Sequence, residues 1–262
     1  MMNNYDFCDS HAHLASDSVF DQVDAILSRA REAGVCTIIN ICTDSKTLQR
    51  GIELVKRYPW IYNTASVTPH DVEKIGDSDF PFIAECARTG QLKAVGETGL
   101  DYYYEHSNRM EQKRHLIQYL HLALECDLPV VIHCRNAFQD FFEILDAEYQ
   151  VNGKCAPGVL HCFTGTLQEA EEVLKRGWML SLSGIVTFKK SVELQEVAKI
   201  VPLSQLLIET DTPYLAPQSK RGQPNEPAYV VETAAFIAQL RGIPLEEIAI
   251  ATSQNVATLF KI

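Results

Sequence analysis

The chain has 262 residues, of which 46% are hydrophobic and 22% charged, with a mean hydropathy of −0.08. This make-up excludes intrinsic disorder, collagen and low-complexity architecture, and a chain this long can bury a core without disulfides or a structural metal. Lys and Arg number 23 against 34 Asp and Glu, a net charge of −11, which argues against broad, sequence-blind adhesion to nucleic acid or anionic membranes but leaves room for a nucleic-acid substrate at one local site.

No apolar run approaches the roughly 18 residues of a membrane helix, and the start, Met1-Met2-Asn3-Asn4-Tyr5-Asp6, lacks the basic and apolar segments of a signal peptide. A cytoplasmic protein with no membrane partner is expected, with a monomer as the default. The 8 Cys are scattered with no CxxC pair, so free, mostly buried thiols are expected rather than disulfides or structural zinc.

From the N-terminus, short apolar runs alternate with segments of helical period. Run 5–11 precedes an amphipathic stretch with Val19, Val23, Ile26, Leu27 and Ala30 on one face, closed by Gly34. Run 36–43 precedes Leu48, Ile52 and Val55, and Pro59 ends that segment. Runs 61–68 and 92–99 follow, then a third helical face of Met110, Ile117, Leu120 and Leu124. After run 129–135 comes a fourth face of Phe138, Phe141, Phe142 and Leu145. Runs 156–163, 178–184 and 206–211 are interleaved with helical stretches at 168–176, 191–200, 228–240 and 245–260. The apolar runs lack polar alternation, as strands covered on both faces do. Eight such strand–helix units predict one α/β domain over 1–262, a single (β/α)8 TIM barrel; the rival doubly wound sheet has no G-x-G-x-x-G or P-loop to support it.

The ionisable residues cluster where the strands stop, and in a barrel those ends converge on one rim. Strand one ends in Asp9-Ser10-His11-Ala12-His13, strand four in Gly96-Glu97-Thr98-Gly99-Leu100-Asp101, strand five in His133-Cys134-Arg135, strand six in His161-Cys162-Phe163 and strand eight in Glu209-Thr210-Asp211. Period two places His11 with His13, His133 with Arg135, and Glu209 with Asp211. One His at a strand end is ordinarily a hydrogen-bonded residue; three strands presenting His at one end, with two more presenting carboxylates, point to metal. Four His and two carboxylates exceed the needs of one ion. The expected arrangement is His11, His13, Glu97 and Asp211 on one divalent ion and Glu97, His133 and His161 on a second, bridged by Glu97. The metal itself is left open among Zn, Mg, Mn, Ni and Fe. His106, His115 and His121 are expected in a loop or on a polar helix face, solvated. Cys134 and Cys162 are expected to pack rather than react.

In order along the chain, Asp9-Ser10-His11-Ala12-His13, Val95-Gly96-Glu97-Thr98-Gly99-Leu100-Asp101, Pro129-Val130-Val131-Ile132-His133-Cys134-Arg135, Leu160-His161-Cys162-Phe163-Thr164-Gly165 and Leu207-Ile208-Glu209-Thr210-Asp211-Thr212-Pro213 resemble the TatD family of metal-dependent deoxyribonucleases, within the metallo-dependent hydrolase superfamily. Asn225-Glu226-Pro227 and the closing Asn255-Val256-Ala257-Thr258-Leu259-Phe260 extend the resemblance over essentially the whole chain. It implies a TIM barrel, metal ligation by His11, His13, Glu97, His133, His161 and Asp211, and hydrolysis of DNA phosphodiesters, commonly from a 3′ end, in a bacterial cytosol. Two departures stand out. Thr68-Pro69-His70 replaces the family's His-Pro-His, which leaves open whatever its first His does, and Pro224 replaces a basic residue before Asn-Glu-Pro, with Lys220 and Arg221 a little upstream.

The expected chemistry is attack by a metal-activated hydroxide on single-stranded DNA ends, with Asp211 and Glu97 as the catalytic carboxylates and Asp211 taking the water's proton. Arg135 is expected to contact the phosphate, its bland alternative being a salt bridge at a helix start; His70 and Arg221 are weaker substrate contacts. Tyr102, Tyr103 and Tyr104 either stack on a base or pack their loop. The alternative function is a small-molecule amidohydrolase or esterase acting on a cyclic amide, lactone or aminoacyl ester. Many binuclear members of that kind resemble this pattern but bridge their metals with a carboxylated Lys on strand four, where this chain has Glu97; Lys93 lies at the strand's other end. A non-catalytic metal-binding protein is the remaining class.

Overall fold

The computed structural model describes residues 5–262; the first four residues, part of the segment read as lacking a signal, lie outside it. Eight parallel strands follow one another in hydrogen-bonded order: β1 Phe7–Ala12, β2 Val35–Cys42, β3 Ile61–Ala65, β4 Ala94–Asp101, β5 Val130–Arg135, β8 Gly158–Leu160, β9 Met179–Leu182 and β10 Leu206–Ile208. The last strand returns to the first at the rim. The Asp211 N–H donates to the His11 carbonyl and the His13 N–H to the Thr212 carbonyl, each at 2.9 Å, around a parallel bridge between Ala12 and Thr212. The eight expected strands are thus all present, in a nearly closed TIM barrel.

Nine α-helices occur among the described residues: α1 Val23–Glu32, α2 Ser45–Arg57, α3 Asp77–Arg88, α4 Arg109–Cys126, α5 Phe138–Glu148, α6 Leu167–Lys175, α7 Val192–Ile200, α8 Val230–Arg241 and α9 Leu245–Phe260. Residue choice fixes their starts. Asp44 and Thr47 form a reciprocal cap on α2, and Thr166 and Glu169 another on α6, satisfying backbone N–H groups that have no partner inside the helix.

Three expectations need correction. First, α3 was not among the expected helices. Its polar start and Pro81 mask it in the sequence, yet Ile83, Ala84, Cys86 and Ala87 bury one face and hold it. The segment 245–260 is accordingly a ninth helix and not one of the eight crossover helices. Val256, Leu259 and Phe260 of α9 pack with inward-facing Cys8, Ile39, Ile41, Val131, Val159 and Leu207, so α9 closes the barrel end away from the rim. Second, the buried stripe of α4 is turned from the expected one. Met110 is 75% exposed, and Gln112, His115, Leu116, Tyr119, Leu120 and Ala123 face inward. The polar members are tolerated because they are bonded: Gln112 accepts from the Asp101 N–H at 2.7 Å and donates to the Ser107 carbonyl at 2.8 Å, and the Tyr119 hydroxyl accepts from the Val67 N–H. Third, His115 is fully buried, not solvated, with its Nε2 2.8 Å from Arg114.

A short hairpin, β6 Gln150–Val151 with β7 Lys154–Cys155, also went unread. Asn152 and Gly153 turn it with φ of 52° and 75°, the pairing a two-residue turn favours. All eight cysteines are free, as expected; four of them are buried and four only half-buried. No helix of the described residues is long and apolar enough to cross a membrane.

Candidate metal centre

Inward-facing positions alternate along each strand, and at the C-terminal rim they become polar. On β5, Val131 faces the barrel axis, so His133 two residues on does too. In the same way Val159 leads to His161 and Leu207 to Glu209. The rule breaks on β1 and β4. Counting in twos from Cys8 and from Ala94, both inward, reaches Ser10 and Gly96 rather than His11 and Glu97. Register irregularities between Asp9 and Ala12 and between Gly96 and Thr98 shift the phase and bring both side chains in. Beside this second irregularity Gly99 has φ +147°, and a Cβ there would lie 1.8 Å from the His133 carbonyl oxygen, so only Gly lets β4 and β5 pass this closely.

The six side chains expected to meet do meet. His11 Nε2 lies 3.3 Å from His13 Nε2, 3.4 Å from Glu97 Oε2 and 3.6 Å from Asp211 Oδ1. His13 Nε2 lies 3.6 Å from Glu97 Oε2 and 3.3 Å from Asp211 Oδ1. A tetrahedral ion with bonds of about 2.0–2.1 Å spaces its donors by about 3.3–3.4 Å, so this quartet fits a divalent cation. The other carboxylate oxygen, Glu97 Oε1, lies 2.9 Å from His161 Nε2 and 3.3 Å from His133 Nδ1, a second donor group sharing the same carboxylate. Imidazole nitrogens and carboxylate oxygens are the donor chemistry of transition-metal and zinc sites.

Two carboxylates support this set from behind. Asp101, fully buried, accepts from His133 Nε2 at 2.9 Å and from the Tyr103 and Tyr104 N–H groups at 2.9 and 2.8 Å. Glu209, also fully buried, lies 3.3 Å from His161 Nδ1. Each holds one ring nitrogen so that the other faces Glu97, the orienting arrangement common behind metal-binding histidines. Neither was singled out from the sequence for this task. The signal for Asp101 is its place at the same strand end, two residues beyond Gly99, and that for Glu209 is its phase with Asp211. Behind His11, Asp9 accepts from the Thr210 N–H at 2.9 Å and the Thr210 hydroxyl at 2.5 Å, tying β1 to the loop after β10.

The electrostatics follow from this crowding. Burial raises the pKa of Glu97, but His161, His11 and His133 outweigh it and hold the carboxyl well below its usual range. Burial likewise opposes charge on Asp211, yet His13 and its neighbours keep the pKa low. Burial lowers His11, reinforced by His161. His13 and His161 are raised despite burial, by Asp211 and by Glu97 and Glu209 respectively. Burial pushes the thiols of Cys134 and Cys162 far up, so neither supplies a thiolate nucleophile, in line with their expected packing role.

The expected substrate contacts are spread around the rim. Arg135 lies 3.8 Å from the Tyr103 ring centre and 4.8 Å from that of Tyr104, and among the described residues it pairs with no carboxylate, so the helix-start salt bridge does not form. His70 sits edge-on to His133, its ring centre 5.5 Å away, and to Tyr104 at 5.9 Å. His106, exposed as expected, completes that group 5.1 Å from His70. Of the three tyrosines, Tyr102 packs its loop, donating to Asp140 at 2.6 Å, while Tyr103 and Tyr104 are 57% and 52% exposed. Arg221 is not in this group; it lies over Phe188 at 4.7 Å, on the loops following β9 and β10.

A parallel barrel carrying four histidines and shared carboxylates on its C-terminal rim defines a metal-dependent hydrolase of the TIM-barrel class. The sequence model of the TatD-related DNase family matches residues 8–261, and the chain belongs to that family. It is 37% identical to an uncharacterized metal-dependent hydrolase, YabD, of Bacillus subtilis, over 97% of this chain and 98% of that protein. It is 35% identical to the 3′-5′ ssDNA/RNA exonuclease TatD of Escherichia fergusonii, over 97% and 98% of the two chains. Among solved structures, the Escherichia coli TatD homologue YJJV superposes with a TM-score of 0.90 at 30% identity, covering 98% of both chains.

Proposed function

We propose that this protein is a nuclease that hydrolyses phosphodiester bonds at single-stranded DNA ends, from the 3′ side, with two divalent cations. The observation that carries the reading is the split allegiance of Glu97: Oε2 faces His11 and His13, and Oε1 faces His133 and His161. His11, His13, Glu97 and Asp211 would hold one cation and Glu97, His133 and His161 the other. Cations held there supply Lewis acidity toward a phosphate and acidify water. Asp211, kept ionised by His13, accepts the proton of the attacking water and hands it toward the leaving oxygen. Arg135, held beside the rings of Tyr103 and Tyr104, donates to the non-bridging phosphate oxygens where charge grows. His70 contacts the substrate beside it, and Arg221 meets phosphate from the opposite loops. The exonuclease activity named for the Escherichia fergusonii relative supports a nucleic-acid substrate.

The test is protein stripped of metal, reconstituted separately with Mg²⁺, Mn²⁺ and Zn²⁺, and given 3′- or 5′-labelled single strands alongside cyclic amides, lactones and aminoacyl esters. Stepwise shortening from the 3′ end, lost in Glu97→Ala, is the expected result. Turnover of the small esters or amides with strands left intact would overturn it, as would strand cleavage that survives in the Glu97→Ala protein.

A further inference from the structure

In this acidic chain most lysines and arginines pair with a carboxylate, from Arg29 with Glu226 to Lys261 with Asp127. Five that do not, among the described residues, stand at the rim: Arg135 at the end of β5, Lys189 and Lys190 on the loop after β9, and Lys220 and Arg221 on the loop after β10. Lys189, Lys190 and Arg221, with Lys220 next to Arg221 in the chain, border one cleft. Its volume is about 450 Å³, and Phe188, Lys189, Lys190, Ser191, Gln218 and Arg221 line it.

The two loops that build it are locked together and to the metal centre. Thr187 accepts from the Gln218 N–H at 2.8 Å while donating to the Gly184 carbonyl at 2.6 Å. A Cβ on Gly184 would lie 2.4 Å from the Leu215 carbonyl oxygen. At the inner end, Ser183 meets Cys162 at 3.2 Å, and the Tyr214 ring centre lies 6.0 Å from that of His13. At the outer end, Phe188 and Tyr229 hold Arg221 and Lys220 by their faces, at 4.7 and 5.1 Å, which orders both cations without neutralising them.

Clustered cations without counter-ions in a protein of net charge −11 are a local reversal of field, and the polymer that rewards such a reversal at regular spacing is a phosphodiester chain. We infer that the cleft between the β9–α7 and β10–α8 loops is a phosphate-binding track for the part of a single strand lying beyond the scissile bond, with Lys189, Lys190 and Arg221 as its contacts. This rests on the nuclease reading and deepens it: it assigns the substrate as a strand several nucleotides long rather than a dinucleotide or a small ester. One half-buried phenyl face and a row of cations suit a sequence-tolerant grip on a backbone, not recognition of base edges.

The experiment measures binding and cleavage separately on the full-length, metal-loaded protein. The binding probe is a fluorescent hexathymidylate with cleavage-resistant phosphorothioate linkages, titrated at several salt concentrations, with its uncharged methylphosphonate counterpart as control. The Lys189→Ala/Lys190→Ala variant should bind the charged hexamer more weakly, with a salt slope shallower by about 1.4, since each phosphate contact on a single strand adds about 0.7. It should leave binding of the uncharged hexamer and cleavage of dithymidylate unchanged. Lys93→Ala/Lys154→Ala, with equal loss of charge at the other end of the barrel, should retain the wild-type slope. Equal slopes for wild type and Lys189→Ala/Lys190→Ala, or equal loss in both double variants, would overturn the track. Dithymidylate cleavage reports on the active-site reading alone, so lysine-dependent binding without cleavage of any strand supports the track and refutes the nuclease, and cleavage without lysine-dependent binding does the reverse.

Discussion

His133 turns its Nε2 to Asp101 at 2.9 Å and thereby its Nδ1 to Glu97 at 3.3 Å. One buried carboxylate thus decides which nitrogen of this imidazole is available to a metal. In Asp101→Asn the remaining oxygen can still accept from the Tyr103 and Tyr104 N–H groups, but the amide cannot accept from His133. Affinity for one of two bound ions should fall by about 10–100-fold while the other is retained. A chelator competition titration with atomic-absorption counting of bound metal checks this; equal weakening of both ions would show that Asp101 does not act through His133.

Glu97 should be the residue whose loss costs most. Its two oxygens serve both donor groups, so Glu97→Ala is expected to reduce the metal content of both and to slow hydrolysis by about a thousandfold or more, equivalent to several kcal/mol of lost charge stabilisation. Metal content and single-turnover rates measured on one preparation decide the matter. Full occupancy of either ion in the variant would contradict the bridging role.

Gly99 predicts a cost in folding rather than chemistry. Gly99→Ala would drive a methyl group into the His133 carbonyl at a backbone angle that side chains avoid. Strain and overlap together should cost about 3 kcal/mol or more, read as a lower urea midpoint at an unchanged slope. A loss below about 1 kcal/mol would mean that β4 and β5 can part at little cost.

Asp9 predicts a pH dependence of the metal-free protein. Burial raises its carboxyl to about 8, against the opposing hydrogen bonds from Thr210. In the unfolded chain the same group titrates near about 3.9. Between these values the folded state holds a proton that the unfolded state has released, so this group makes stability fall as pH rises, by at most about 1.4 kcal/mol per pH unit. Above about pH 8 both states are ionised and the slope ends. Asp9→Asn removes the titration and should flatten the stability profile between pH 5 and 8, measured by urea unfolding in chelator, relative to wild type. An identical slope in the two proteins would place the proton elsewhere.

The local signals were strong for strands and weak for the pieces between them. Runs such as 129–135 and 206–211 are apolar enough to mark buried strands on their own, and all eight were found. Helix α3 hid behind Pro81 because its buried face is only Ile83, Ala84, Cys86 and Ala87. The α4 stripe was misplaced because Gln112 and His115 occupy inward positions that a hydrophobicity pattern assigns to solvent, and only the hydrogen bonds that Gln112 makes across the fold explain its place.

Sequence alone picked out the six side chains that come together: His11, His13, Glu97, His133, His161 and Asp211 stand at strand ends, and a parallel barrel has one rim to send them to. It could not determine phase on β1 and β4, where regular alternation would have turned His11 and Glu97 away from the axis, because a register irregularity depends on the neighbouring strand and leaves no mark on the strand that carries it. Nor could it select the orienting carboxylates Asp101 and Glu209, or bring Lys189 and Lys190 beside Arg221. Those pairings join residues far apart in the chain, and closure of the barrel settles which of them meet.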